Sequence, residues 1–256
     1  MYIVAAHSWQ IEEDEIARAL ANSMDILIFE ARQKISNGGP AVLRSYADRS
    51  QADDLAARLA QVGVPVLIVD PAATRRKRPF QVSRFRFEPQ FLQLESTSGE
   101  QRDLDYNAID LLLAAIGSSE LKETTVTVTE RRFSLGKTLL AGGLPMSKKV
   151  KRDKSLLVST RDETVWLYAG GAAPVVFNRA TLNFDGLADA LLLTRNLNFT
   201  HLKNELRRLA PQAVYDDRLL RRASVVRLLG STLDPERDLD LAFEIVSRSL
   251  LPNPNP

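Results

Sequence analysis

The chain has no cysteine. Disulfides, thiolate metal sites and cysteine nucleophiles are excluded with it, and a cytoplasmic location is the expectation. Histidine is almost as scarce: His7 and His201 are the only two. A zinc site wants three or four ligands, and His201 with Glu205 supplies one pair. No serine sits in the G-x-S-x-G context of a nucleophile elbow. Gly136-Lys137-Thr138 fails as a phosphate-binding loop, because Arg131 stands where the motif needs its first glycine. Asp103, Asp105, Asn107 and Asp110 lack the central glycine and late glutamate of a calcium loop. Long apolar runs are missing too. Stretches such as Leu111–Ile116 are far too short to span a bilayer, and no transmembrane segment is expected. Met1 leads straight into an apolar strand without a basic start, so no signal peptide is expected. No catalytic residue, metal or cofactor is therefore expected.

What is present suits a soluble globular protein: 45% apolar and 26% charged residues over 256 positions, enough for one large domain or two ordinary ones. The net charge of +2 is unevenly spread. Residues 1–74 hold six basic and ten acidic side chains, a balance of −4, which leaves +6 for the remainder. The change comes at Arg75-Arg76-Lys77-Arg78-Pro79, four cations and a proline. The expected organisation is α+β: a compact module at 1–72, a basic linker at 73–79, an antiparallel β domain at 80–185, a helical segment at 186–251 packed on it, and a disordered tail at 252–256.

Within the first module, YIVAA reads as a strand and EEDEIARALANS as a helix with an acidic first turn. Asp25 is the expected cap of a second helix that Asn37-Gly38-Gly39-Pro40 ends. AVLRSYA is a strand. A third helix follows Asp48 or Ser50, carries Leu55, Leu59 and Val62 on one face and stops at Gly63. VPVLIVD closes the module as a buried strand, giving the order β-α-α-β-α-β.

This order, and the stretch EARQKISNGGPAVLRSYADRSQADDLAARLAQVGVPVLIV, resemble the C-terminal domain of the bacterial ribosomal stalk protein, whose fold is shared with an adaptor that feeds substrates to a bacterial protease. The likeness covers about a quarter of the chain. It implies a protein-docking module that presents its first two helices, with Arg18 and Arg32 matching two basic positions of that surface. Where the family has a glycine-containing turn and an exposed lysine, this chain has Asp25-Ile26-Leu27-Ile28-Phe29. Those apolar residues either pack on the second part of the chain or dock another protein. Arg18, Ile26, Leu27, Phe29 and Arg32 are the candidate protein-binding residues.

Six or so short strands fill the next hundred residues, with alternation clearest in FQVSRFRFE and ETTVTVTERRF. They suggest a small barrel or sandwich, by analogy one of the pleckstrin-homology-like barrels. Asn107 is read as the cap of a short turn, or the segment runs on as a strand. Residues 136–155 form a glycine- and lysine-rich loop in which Lys137, Lys148, Lys149, Lys151, Arg152 and Lys154 face one aspartate. With Arg131 and Arg132 at its base, this loop is the candidate for binding nucleic acid or another polyanion. It holds no aromatic residue, so base stacking is not indicated. Further on, helices are expected at about Phe199–Leu209 with Asn198 as cap, at Tyr215–Leu229, and from Asp234-Pro235 onward.

Three functions follow in order: a non-enzymatic bacterial adaptor or regulatory protein acting through protein contacts of residues 1–72; an anion- or nucleic-acid-binding protein using the basic loop; and a hydrolase whose groups converge only in three dimensions.

Overall fold

The computed structural model describes the backbone of residues 1–9, 12–36, 38–133 and 147–251, and the side chains of these except 118–133 and 147–161. Two compact units are present. The smaller, Ser118–Arg161, holds the end of one long strand and the beginning of the next. The larger joins Met1–Gly117 to Asp162–Pro256 and carries all the other elements.

Its first stretch runs β1 (Tyr2–Ala6), α1 (Glu13–Met24), α2 (Ile28–Ile35), β2 (Ala41–Tyr46), α3 (Arg49–Gln61) and β3 (Val66–Val69). The sheet order is β2-β1-β3, with β1 antiparallel to both neighbours. Local chemistry explains most boundaries. Glu13, Asp14 and Glu15 place negative charge at the positive end of the α1 dipole. Gly63, at φ 75°, closes α3 in a Schellman turn: its N–H donates to Ala60 O, and that of Val64 to Leu59 O. Leu55 and Leu59 are buried as the helical period requires, whereas Val62, at the cap, is exposed.

Asp25 does not begin the second helix. It adopts the left-handed conformation at the end of α1, which Asp tolerates better than most residues. α2 starts three residues later behind Leu27, whose N–H donates to the Glu30 carboxylate at 3.4 Å.

Next come α4 (Pro71–Arg76), β4 (Phe80–Phe87), β5 (Phe91–Ser96), β6 (Gln101–Asp105), β7 (Ile109–Phe133), β8 (Ser147–Ala169) and β9 (Val175–Asn178). α5 (Arg195–Leu209), β10 (Val214–Leu219), α6 (Arg222–Leu229) and α7 (Leu239–Leu250) complete the chain. The α+β class holds and the C-terminal helices are present. The seven-stranded sheet, ordered β10-β7-β8-β9-β4-β5-β6, is open and mixed. β10 runs parallel to β7 and β9 parallel to β4, so the expected antiparallel barrel does not close.

Four local expectations change. The short 3-10 turn at Tyr106–Ala108 is capped by Asp105, which accepts from the Asn107 N–H at 2.8 Å; Asn107 is not the cap. α5 begins at Arg195 behind Thr194, whose hydroxyl accepts from Leu197 N–H. Asn198 is instead buried, and its amide bonds Leu192 N–H and C=O. Tyr215 belongs to a strand, because the free side of β7 offers a backbone ladder that outweighs local helix propensity. The Gln212 amide donates to Tyr106 O and Ile109 O and brings β10 into register. At the last helix, Asp234 accepts from the N–H groups of Glu236 and Arg237 in a separate turn, and α7 starts at Leu239.

Strand alternation divides the core into layers. Leu112, Ala114, Val165 and Leu167 face one side of the large sheet, where they meet Phe199, Leu202 and Leu206 of α5. Leu111, Leu113, Ala115, Trp166 and Tyr168 face the other, toward α6 and α7. On the far side of those helices lie Ile3, Ala5, Val42 and Val69 of the small sheet, within the same buried cluster. The opposite face of that sheet, with Val4, Ala6 and Leu43, is covered by α1, α2 and α3. The order through the larger unit is therefore helices, small sheet, helices, large sheet, helix.

Candidate functional site

α1 and α2 form a helical hairpin whose outer surface carries most of the residues singled out for protein binding. Asp14 on α1 and Arg32 on α2 pair at 2.9 Å across it. One turn further along α1 stands Arg18, exposed and without an ion-pair partner among the described residues. One turn back along α2 stands Ile28, beside Leu27 and Phe29. Leu27 is 70%, Ile28 46% and Phe29 67% exposed. Three consecutive apolar side chains in water at a helix start gain nothing for the fold, since an interior position would stabilise each by about 1.5–3 kcal/mol. Of the two readings open from sequence, intramolecular packing therefore fails for Leu27 and Phe29. Ile26 differs from them: the left-handed turn at Asp25 directs it inward, where it is half-buried against the core formed by α1, α2 and α3. Ile28 joins the surface although the sequence reading did not single it out.

The second candidate set, Lys137, Lys148, Lys149, Lys151, Arg152, Lys154, Arg131 and Arg132, lies outside the described side chains.

A cleft of about 460 Å³ opens where the α2–β2 turn meets the β10–α6 connection. Lys34, Gly38, Gly39 and Pro40 form one wall, and Tyr215 to Arg218, Arg221, Ser224 and Arg227 the other. Arg218 fixes the two walls together. Its guanidinium donates to Gly39 O at 2.7 Å and grips the Asp216 carboxylate at 2.7–2.8 Å. Lys34 and Arg221 have no ion-pair partner among the described residues. Burial, followed by the charge of Arg44, pushes the Lys34 ammonium below its ordinary pKa, with Glu30 opposing. Sequence reasoning missed this cleft because its walls are about 180 residues apart in the chain, as the Gly39–Arg218 bond shows.

The two histidines do not form a site. His7 ends β1 with its Nδ1 buried and unbonded, beside Arg248. His201 lies on α5 and faces Glu205, which is held by Arg208. Among the described residues no cluster of three or more His, Cys, Asp or Glu could hold a metal ion, and no helix is long and apolar enough to cross a membrane. No protein-family profile, no curated protein and no solved structure matches this chain.

Proposed function

We propose that this chain is a cytoplasmic bacterial adaptor or regulatory protein without catalysis of its own, which binds another protein through the α1–α2 surface. The exposed row Leu27, Ile28, Phe29 is the observation that carries the reading. Large apolar side chains grouped in water mark interaction sites, and an aromatic anchor with an arginine beside it is the composition of binding hot spots. The resemblance of residues 1–72 to the stalk-protein domain supports the same surface, because that family docks partners through the corresponding helices. The Arg18 guanidinium, without an ion-pair partner among the described residues, specifies the partner further: an apolar ridge for Leu27 and Phe29, flanked by a carboxylate.

The test is a photo-crosslinking amino acid at position 29 in the intact protein, with the same probe at the exposed Val62 as control. A single protein captured at position 29, absent at position 62 and lost on Leu27→Glu, is the expected result. Equal capture at both positions, or capture only of a second copy of this chain, overturns the adaptor reading. Phe29→Ala should then weaken the purified complex tenfold or more, on the order of 2 kcal/mol, without changing the thermal midpoint.

A further inference from the structure

We propose that the cleft between the Gly38–Pro40 turn and the β10–α6 connection binds a small phosphomonoester, with Lys34 and Arg221 as its anion ligands. The charge count of the lining comes first. Lys34, Arg218, Arg221 and Arg227 face Asp216 and Asp217, an excess of two positive charges. Asp216 is already satisfied by Arg218, which leaves Lys34 and Arg221 as the cations offered to a ligand. A phosphomonoester carries close to two negative charges at neutral pH.

Burial and repulsion come second. Lys34 is half-buried at the end of α2, with the Arg44 guanidinium near enough to disfavour its charge. An anion placed against the Lys34 ammonium offsets that repulsion, which makes the site better for a charged ligand than for a neutral one. Arg221 adds a planar fork suited to bidentate phosphate contact, and it is exposed, so it can reach the ligand without disturbing the core.

Size and the opposite charge come third. About 460 Å³ is much more than an inorganic ion occupies and lies within the range of small-molecule sites. The Asp217 carboxylate would repel a second phosphate but accepts hydrogen bonds from hydroxyl groups. A phosphate attached to a hydroxylated carbon skeleton satisfies both ends. The walls are already braced: Arg218 ties the turn to β10, and Arg207 stacks over the Tyr215 ring at 4.3 Å.

Isothermal titration of the full-length protein with glucose 6-phosphate, and separately with inorganic phosphate, tests the site. Saturable binding of glucose 6-phosphate that weakens with added salt is expected, with inorganic phosphate weaker. Arg221→Gln and Lys34→Gln should each reduce affinity roughly ten- to a hundredfold, the loss typical of a charge-assisted hydrogen bond. Arg86→Gln, at an exposed cation outside the cleft lining, should leave it unchanged. Because Arg221 is exposed, its variant keeps the test valid if Lys34→Gln unfolds. No saturable binding at low salt, affinity unaltered in Arg221→Gln, or an equal loss in Arg86→Gln overturns the proposal.

Discussion

At the scale of single residues, two side chains turn local geometry into measurable stability. His7 is held with its Nδ1 buried and unbonded next to Arg248, and both influences favour the neutral ring. Its folded-state pKa therefore lies below the ordinary 6.5. As pH falls through 6.5, the unfolded chain takes up a proton that the folded chain refuses, so stability is lost downward from that point. Urea unfolding at pH 7.5 and 5.5 should show a larger loss for the natural protein than for His7→Gln; equal losses would place the pH sensitivity elsewhere. Gly186 presents a steric case. A Cβ built there would lie 1.8 Å from the backbone oxygen of Phe85. Backbone rather than a movable side chain must yield, so Gly186→Ala should cost about 2 kcal/mol or more. A thermal midpoint within a degree of the natural protein would show that the 3-10 turn at Asp185–Ala190 shifts freely off β4.

At the scale of elements, the basic seam acquires partners that local sequence does not reveal. Lys77 Nζ lies 2.7 Å from both carboxylate oxygens of Glu244, and Arg75 reaches Asp238 at 2.5 Å and Asp240 at 3.3 Å. The cations are half-exposed, but the side chains of Glu244 and Asp238 are each only 14% exposed. Such pairs contribute modestly, about 0.5–1 kcal/mol each after solvent screening. Lys77→Met leaves a mostly covered carboxylate unpaired, so it should destabilise more than the double change Lys77→Met with Glu244→Gln. Denaturant midpoints of the four combinations measure this, and additive losses would show the pair to be uncoupled.

The same scale shows what sequence reveals. The module at 1–69 was legible because its helices have strong apolar periods and its stops are chemical, as at Gly63. The strand at Val214–Leu219 was not, because its partner is Leu111–Ala115, a hundred residues upstream. The exposed apolar row was half legible: its residues stood out, but only the fold separates inward Ile26 from outward Leu27 and Phe29.

At the scale of the whole molecule, the cluster between the sheets decides how the larger unit unfolds. Phe243 of α7 stacks on Trp166 at 4.3 Å and shares its cluster with Ile3, Ala5 and Val69 from the first sheet. Neither sheet can lose α6 and α7 without exposing its inner face, so the two halves on either side of the seam should melt together. Nature supplies the probes. Trp9 packs against the core of the α1–α2–α3 layer, and Trp166 against the central cluster; they are the only tryptophans. Fluorescence of Trp9→Phe reports the centre, and that of Trp166→Phe the first layer. Each urea transition is compared with circular dichroism on the same variant, which removes any difference in stability between the two. Coincident fluorescence and dichroism curves in both variants are expected. A Trp9 transition that precedes the dichroism change would mean that the first layer opens alone. The exposed Leu27–Phe29 row would then belong to an element able to release the proposed partner by local unfolding.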